Sequence, residues 1–408
     1  MFNDCVRRGG SAHWSFARLL RALLFSAIVA GCASRAENVL TPLSPEALAS
    51  ARGASRVEML VATTRLAAPQ TPGEMYSGER APVLTYADIA ISIPPDASRT
   101  IGEVQWPQRL PADPARDFVT VKANVVDRGK MMTRLREEAR QNGGRVLLFV
   151  HGFNNKFEDA VMRFAQIAHD SGARAASMLF TWPSRGKLLA YGYDHESANY
   201  SRDSLESVLD MLSAEPAVRE VSVLAHSMGN WVTLEALRQS AIRRGRVPSK
   251  VQNVMLASPD VDVDVFRTQI ASLGASRPNL TLFVSQDDTA LRVSRRVWGS
   301  VPRIGAVNPE MEPYRSEFLA NRITVLDLTK VSTEGSLNHD KFATSPEIVR
   351  LIGGRLVAGQ QINDGKVTLG EGVHLLAADT ASTIGGVVGG IVSAPVKLLE
   401  GKKPIDLE

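Results

Sequence analysis

The apolar residues of the chain fall into short runs that alternate with longer segments of helical spacing from residue 145 onward. Residues 146–150 are continuously apolar, as in strands that are buried on both faces of a sheet. Phe157, Val161 and Phe164 then recur along one helix face, and Gly172 is expected to end that helix. Further strands are predicted at 176–180, 220–224, 251–256, 280–284 and 323–326. This alternation predicts an α/β fold, with a doubly wound, mostly parallel sheet flanked by helices.

Two more strands are predicted before this region, at 57–64 and 88–93. The second alternates apolar and polar residues, which is typical of a half-buried strand. We therefore predict one domain over 57–355, with a β-rich part at 57–140 and a catalytic core at 145–355. The glycine-rich segment 356–408 is predicted to be a tail. For its uncharged stretch 380–396, a loosely ordered tail, a packed or interfacial segment and a membrane-spanning helix all stay open.

Residues 1–31 have the features of a signal peptide, with basic residues before an apolar run that is too short to span a bilayer. Val29-Ala30-Gly31-Cys32 resembles a bacterial lipobox, whose cysteine is acylated after cleavage just before it. The resemblance implies a mature protein that begins at Cys32, is anchored in the membrane by lipid and faces the periplasm. Ala33 and Ser34, with no aspartate, favour the outer membrane. An ordinary secretory signal or an uncleaved apolar helix is the alternative.

Residues 32–56 are rich in alanine, serine and proline and are predicted to form a tether with little structure. The composition, 44% hydrophobic and 22% charged, is that of a globular protein with a large core. The net charge of +4 is concentrated in the first 31 residues, where four arginines face only Asp4. The rest of the chain is nearly neutral, so charge does not indicate a nucleic-acid partner. No metal-ligand spacing occurs in the sequence, and we expect neither a metal nor a cofactor.

The residues Ala225-His226-Ser227-Met228-Gly229 follow the predicted strand 220–224 and precede a segment that begins a helix. They fit the nucleophile-elbow pattern G-x-S-x-G, with alanine in the first place. The sharp turn crowds the residues two places before and two places after the serine, so both must be small. Ser227 is therefore the predicted nucleophile.

The residues His151-Gly152-Phe153-Asn154 follow the predicted strand 146–150. Beside a nucleophile elbow, a loop in this position supplies one backbone N–H to the oxyanion hole, and the residue after the serine supplies the other. We predict Met228 as one donor and Phe153 as the other, with Asn154 as the alternative to Phe153. These dipoles would stabilise the negative charge of a tetrahedral intermediate.

A serine nucleophile needs a base, and the base needs a carboxylate, in the chain order serine, acid, histidine. His339 follows the last strand of the predicted core and is the candidate base. Asp287 and Asp288 follow the strand 280–284, and Asp260 and Asp262 follow the strand before it. The acid is one of these four residues.

Six stretches of the chain resemble a bacterial α/β-hydrolase family of the esterase/lipase superfamily whose physiological substrate is undefined. They are HGFNNKFEDAV, FTWPS, AHSMGNW, ASPDVDVDVF, VSQDDTALRVSR and SLNHDKF, and the likeness runs from about residue 57 to about residue 353. The resemblance implies a serine-hydrolase triad on an α/β-hydrolase core. It favours Asp288 as the acid, because the family has its acid two places before an Ala-Leu step.

These features predict a serine hydrolase that cleaves a carboxylic ester or related acyl bond in a small-molecule or lipid substrate, through an acyl-enzyme on Ser227. A thioesterase, amidase or acyltransferase would use the same residues. The alternative from another class is a non-catalytic envelope protein that keeps the fold as a binding surface or scaffold. Specificity is expected to depend on loops, among them residues 185–204.

Overall fold

The computed structural model describes residues 36–49, 52–71, 73–333, 337–356 and 372–377. The predicted signal peptide, Cys32 and most of the predicted C-terminal tail, including 380–396, lie outside the described residues. None of the helices in the described part of the chain is both long enough and apolar enough to span a bilayer.

The described strands form one 10-stranded sheet in the order β10-β9-β8-β7-β6-β4-β5-β1-β2-β3. The strands are β1 (Ser55–Ala67), β2 (Tyr76–Ile93), β3 (Val119–Val126), β4 (Arg145–Val150), β5 (Ala176–Thr181), β6 (Glu220–His226), β7 (Val251–Ala257), β8 (Asn279–Val284), β9 (Ile323–Asp327) and β10 (His374–Leu376). Strands β4 to β9 and β1 are joined by parallel pairings, whereas β2, β3 and β10 join their neighbours antiparallel. The predicted mostly parallel, doubly wound sheet is confirmed.

Helices cover both faces of this sheet. They are α1 (Pro45–Leu48), α2 (Arg128–Gln141), α3 (Phe157–Ser171), α4 (Tyr191–Ala214), α5 (Gly229–Arg244), α6 (Val263–Leu273), α7 (Thr289–Val297), α8 (Tyr314–Ala320), α9 (Lys341–Thr344) and α10 (Pro346–Leu351). Successive residues of a strand point to opposite faces. In β4, Leu148 accordingly packs in the core layer of α2, α4, α5 and α6, and Phe149 packs in the layer of α3 and α10.

Helix α3 shows how local sequence sets an element. The backbone N–H of Lys156 donates to the Asp159 carboxylate at 2.8 Å, which caps the first turn. The apolar residues at helical spacing are buried in the second core layer. Gly172 ends the helix with a φ of 62°, as predicted.

Two predictions about irregular segments are wrong. The tether was expected to have little structure, but within it Val39 and Leu40 are buried in the second core layer, and Leu43 N–H donates to Thr120 O on β3 at 2.9 Å. Residues 185–204 were expected to form a loop, but from Tyr191 onward they belong to α4. Its early buried face consists of small and polar residues such as Ser197 and Ala198, so the usual apolar periodicity is absent.

The edges of the sheet also extend beyond the predicted strands. Strand β2 begins at Tyr76, well before the predicted 88–93, and β3 was not predicted. Residues 374–376, assigned to the tail, pair antiparallel with β9. These differences do not affect the predicted site. The loops that follow strands β4, β6, β8 and β9 lie at one edge of the sheet, where ligands bind in folds of this class.

Candidate active site

Ser227 lies between the end of β6 and the start of α5 with a φ of 52°. A positive φ is rare and strained for a residue other than glycine and recurs at functional sites. The turn is held by hydrogen bonds from Ser227 N–H to Ala257 O at 3.0 Å and from the Asn230 side chain to Ser227 O at 2.9 Å. The serine that sequence reasoning selected therefore stands on a rigid strand-to-helix turn.

The small residues around Ser227 are required by close packing. A Cβ on Gly229 would lie 2.4 Å from the carbonyl oxygen of His151, and a Cβ on Gly152 would lie 2.8 Å from Ser227 Cβ. Both distances are shorter than the non-bonded contacts that Cβ atoms make in proteins. The loop after β4 thus packs directly against the serine turn, as the motif spacing predicts.

His339 and Asp288 form a hydrogen-bonded pair. His339 Nδ1 lies 2.7 Å from Asp288 Oδ2, and the other carboxylate oxygen of Asp288 accepts a hydrogen bond from Leu291 N–H at 2.9 Å at the start of α7. The His339 ring lies 4.8 Å from the ring of His226, the residue that precedes Ser227. The ends of β6, β8 and β9 therefore meet, and the Asp288–His339 pair lies beside the residue that precedes Ser227.

The pKa of His339 is raised above its ordinary value of 6.5. Burial by itself lowers the pKa, but the hydrogen bond that His339 donates to Asp288 and the negative charge of this carboxylate outweigh burial. Asp288 is fully buried, so its charge acts on the imidazole with little screening. This pair can hold a proton-accepting imidazole in one orientation.

The other candidate acids contact different groups. Asp287 binds the buried Lys341 ammonium, with 2.9 Å to each carboxylate oxygen. Asp260 accepts hydrogen bonds from Tyr191 and Ser294, each at 2.6 Å. Asp262 caps the first turn of α6. Of the four candidate carboxylates, Asp288 is the one that hydrogen-bonds to His339.

The candidate oxyanion donors differ in the hydrogen bonds that their backbone N–H groups already make. The Asn154 N–H donates to the buried Asp194 carboxylate. Burial, the largest cause, raises the pKa of Asp194, and this hydrogen bond offsets part of that rise. Among the described residues, the backbone N–H groups of Phe153 and Met228 donate to no other group of the chain. The Phe153 and Met228 amides therefore remain candidates for binding an oxyanion, whereas the Asn154 amide already has an acceptor.

Sequence reasoning missed Arg65, a buried arginine at the end of β1. Its guanidinium donates to Asn155 O and Ser184 O, both at 2.8 Å, and to Thr181 Oγ1 at 2.9 Å. Burial, the largest cause, lowers its pKa to about 10, so the group remains charged at neutral pH. A charged residue directly after the predicted strand 57–64 was its signal in the sequence. Arg65 ties β1, the end of β5 and the loop that carries Phe153 into one unit.

Lys341, two residues after His339, is the second residue that was missed. Its side chain is 2% exposed and donates to Leu328 O at 3.0 Å as well as to Asp287. This buried cation holds the histidine loop against the ends of β8 and β9. It therefore positions His339 without contacting it.

The described residues contain one group of three side chains that could hold a metal ion, Asp96, His169 and Asp170. Arg99 forms ion pairs with both aspartates, so a cation is already present there. None of these residues belongs to the loops around Ser227. The expectation that catalysis needs no metal or cofactor stays a prediction.

Comparisons with known proteins found distant likenesses in solved structures. None of the curated proteins compared with the chain matches it. Similar solved structures include an esterase from Pyrobaculum calidifontis, 14% identical, with a TM-score of 0.31 over 52% of this chain and 76% of that chain. Lipase B of Aspergillus fumigatus is 14% identical, with a TM-score of 0.36 over 57% of each chain. One of two fungal esterases from Rhizomucor miehei is 11% identical, with a TM-score of 0.30 over 78% of this chain and 86% of that chain. At such TM-scores these likenesses carry no argument.

The family model described as "Alpha/beta hydrolase of unknown function (DUF900)" matches residues 127–355, which is more than half of the chain. The matched range includes strands β4 to β9 and the residues Ser227, Asp288 and His339. The resemblance to an α/β-hydrolase family is confirmed. The chain belongs to this alpha/beta hydrolase family.

Proposed function

We propose that this protein is a serine hydrolase that cleaves a carboxylic ester or related acyl bond through an acyl-enzyme on Ser227. The observation that carries the proposal is the Asp288–His339 pair, with 2.7 Å between Nδ1 and Oδ2, beside a serine on a strained elbow. A binding surface would have no need of a nucleophile, a base and an acid in this order.

In the proposed reaction each of these groups has one role. Ser227 Oγ attacks the acyl carbonyl carbon while His339 takes the serine proton, and the Phe153 and Met228 amides donate to the resulting oxyanion. Collapse of this intermediate breaks the bond to the alcohol, which leaves with the proton from His339. Water then attacks the acyl-enzyme with His339 as base, and the acid and free Ser227 are released.

The test of this proposal is labelling with a fluorescent fluorophosphonate, which reacts covalently with activated serines. We expect the wild-type protein to be labelled and Ser227→Ala and His339→Ala to lose labelling, with ester hydrolysis reduced by about 10³-fold or more. Ser207→Ala is the matched control, because Ser207 is exposed on α4. Labelling that persists in a folded Ser227→Ala protein would contradict the assignment, and an unlabelled, folded wild type would favour the binding-surface alternative.

We also propose that the protein is a lipoprotein of the bacterial envelope, acylated on Cys32, held at the outer membrane and facing the periplasm. The support is the tetrad Val29-Ala30-Gly31-Cys32 after a short apolar run, followed by Ala33 and Ser34. The anchor would hold the hydrolase at a lipid surface, where acyl substrates are concentrated.

Metabolic labelling with radioactive palmitate tests the anchor in a bacterial host. The wild type should incorporate palmitate and sediment with outer membranes, whereas Cys32→Ser should lose the label and leave the membrane fraction. Cys5→Ser is the matched control and should behave as wild type, because Cys5 would be removed with the signal peptide. Equal labelling of Cys32→Ser and wild type would refute the lipid site.

A further inference from the structure

Large apolar side chains are exposed to solvent around helix α7. Val293 and Val297, one turn apart on this helix, are both exposed, and so is Trp298 directly after it. Just before α4, Leu188 is 74% exposed and Leu189 is fully exposed. Hydrated apolar surface is unfavourable, and clusters of such side chains mark places where a partner binds.

These side chains come from segments that contact one another. The Tyr191 hydroxyl, at the start of α4, lies 2.9 Å from Ser294 Oγ on α7, and the Tyr191 ring lies 5.8 Å from the Trp298 ring. A further exposed leucine, Leu337, accepts a hydrogen bond at its carbonyl oxygen from Thr289 N–H, the first residue of α7, at 2.9 Å. The exposed apolar residues before α4, on α7 and before His339 therefore belong to one part of the surface.

Four exposed cations accompany the apolar side chains, namely Lys187, Arg292, Arg295 and Arg296. Where they donate hydrogen bonds to described residues the acceptors are uncharged, as in the bond from Arg295 Nε to Ser300 O at 3.0 Å. In the part of the chain that the structure describes, none of the four forms an ion pair. By contrast, Arg243 and Arg244 at the end of α5 both pair with carboxylates of α4. This surface therefore has positive charge that the fold does not neutralise, although the chain beyond residue 31 is nearly neutral.

We call this region the α7 surface: residues 187–189, the exposed residues of α7, Trp298 and Leu337. It adjoins the candidate catalytic residues. Asp288 is the N-cap of α7, and the ring of Phe153 lies 4.9 Å from the ring of Tyr191. A partner on the α7 surface would therefore lie beside the loops that carry Asp288, His339 and the Phe153 amide.

The combination of groups fits the surface of an anionic bilayer. Arginine and lysine are attracted to lipid phosphates, whereas tryptophan and aliphatic side chains are favourable at the boundary between headgroups and acyl chains. A second copy of the chain fits less well. In a two-fold dimer the same surface would face itself, so four cations would oppose four cations.

The length of chain before the described residues also favours a bilayer. Ala36 N–H donates at 2.8 Å to the carbonyl oxygen of Pro107. Neighbouring Trp106 lines a cavity together with Gly186, at the start of the segment that carries the exposed leucines. Only three residues lie between Cys32 and Ala36, and this length of chain spans at most about 14 Å. An acyl group on Cys32, as proposed above, would hold this side of the molecule close to the membrane.

We propose that the α7 surface lies on an anionic phospholipid bilayer and turns the candidate catalytic edge of the sheet toward the membrane. The cations contact lipid phosphates, and the leucines, valines and Trp298 enter the interface. The anchor on Cys32 keeps the protein near the bilayer, and the α7 surface sets its orientation there. Binding at this surface does not depend on hydrolysis at Ser227.

The first experiment measures flotation of the protein with lipid vesicles. It uses residues 32–408 made without the signal peptide and therefore not acylated; they include all the described residues. We expect the apparent Kd for vesicles of equal parts phosphatidylcholine and phosphatidylglycerol to be lower than that for pure phosphatidylcholine by about tenfold or more. Binding to neither vesicle, or equal binding to both, would overturn the proposal.

The second experiment removes each component of the α7 surface. The double variants Leu188→Ser/Leu189→Ser and Arg292→Gln/Arg296→Gln should each weaken binding to the anionic vesicles by about tenfold. The matched controls Ile242→Ser and Arg243→Gln should bind as the wild type does. Ile242 is an exposed apolar residue about 20 Å along α5 from its start, and Arg243 already pairs with Glu206. Wild-type binding by both double variants would overturn the assignment to the α7 surface.

The third experiment tests contact with the bilayer itself. Lipids brominated on the acyl chain should quench tryptophan fluorescence of the wild type in anionic vesicles, and Trp298→Phe should lose most of this quenching while still binding. Quenching that is unchanged in Trp298→Phe would show that another part of the protein faces the lipid and would overturn the proposed orientation.

Two further readouts separate this proposal from its alternatives. Sedimentation equilibrium without lipid should show a monomer; a dimer that Leu188→Ser/Leu189→Ser dissociates would make the α7 surface a contact between copies and overturn the proposal. Fluorophosphonate labelling reports on Ser227 alone. A protein that is labelled but binds no vesicles keeps the proposed hydrolase function and loses the membrane surface.

Discussion

At the scale of single residues, the candidate chemistry depends on how one carboxylate is held. Asp288 caps helix α7 through one oxygen and binds His339 through the other. The cap immobilises the carboxylate, and complete burial keeps it from exchanging its partner for water. Adjacent Asp287 has the same chemistry but faces Lys341.

Replacing Asp288 with asparagine tests this role. Asp288→Asn should reduce kcat for ester hydrolysis by about 10⁴-fold, because the imidazole loses the partner that sets its tautomer. The acid limb of the kcat/KM profile should also move to lower pH. Asp288 raises the pKa of His339, so without it the imidazole stays unprotonated to a lower pH.

The measurement is the pH profile of kcat/KM for the wild type, Asp288→Asn and Asp262→Asn. Asp262 is an N-cap of α6, and asparagine caps helices equally well, so this control should match the wild type. A normal rate and an unmoved acid limb in Asp288→Asn would remove Asp288 from the mechanism.

At the scale of elements, the loop after β4 is positioned by a strand two places away in the sheet. Arg65 reaches from β1 to the carbonyl oxygens of Asn155 and Ser184, and the Ser184 hydroxyl donates to Asp194 at 2.5 Å. Asp194 in turn lies on α4. Strand, loop and helix therefore share one buried polar network under the Phe153 amide.

Arg65→Met should loosen this loop and misplace the Phe153 amide. We expect kcat to fall by about 10²-fold with little change in KM, because an oxyanion donor acts in the transition state more than in the bound substrate. The free energy of unfolding should fall by about 2–4 kcal/mol, since buried carbonyl oxygens lose their donor.

Steady-state kinetics and urea unfolding check this prediction. Arg56→Met is the control, because the Arg56 side chain lies on the same strand and is 51% exposed. A lower stability with unchanged kcat would show that Arg65 stabilises the fold without positioning the oxyanion loop.

At the scale of the whole molecule, the site lies at the edge of a sheet that is buried between two core layers. The layers bury not only apolar side chains but also imidazole groups: the side chain of His226 is 12% exposed and His151 is 1% exposed. Burial lowers the pKa of both. The folded state therefore favours the neutral form of these histidines, which makes the stability of the molecule depend on pH.

His226 should make the fold less stable in acid. Its pKa is about 3 in the folded state and 6.5 ordinarily, so below pH 6.5 the unfolded state binds a proton that the folded state does not. The stabilisation present above pH 6.5 is lost as the pH falls toward 3, by about 1.4 kcal/mol per pH unit.

Urea unfolding at pH 7 and pH 5 measures this dependence. Between these values the wild type should lose about 2 kcal/mol more than His226→Gln, which has no titrating group at this position. His374→Gln, a change at an exposed histidine on β10, should behave as the wild type. Equal losses in the wild type and His226→Gln would show that His226 does not titrate as proposed.

Local patterns in the sequence explain which strands and turns could be predicted. The strands β4 to β9 were found within a residue or two, because a buried strand is a run of neighbouring apolar residues. The position of Ser227 was equally accessible, since a strand, a tight turn and a helix follow one another without a gap. The segment 36–49 and the helix beginning at Tyr191 were missed because their burial depends on distant partners.

The sequence by itself determined the α/β class and the serine turn, because both depend on patterns of residues that are close together in the chain. Only the tertiary structure decided which aspartate meets His339, since Asp287 and Asp288 are neighbours whose side chains point to different partners. It alone joined Arg65 to a loop some ninety residues away. Such contacts depend on the order of strands in the sheet, and strand order is set by the packing of the whole chain.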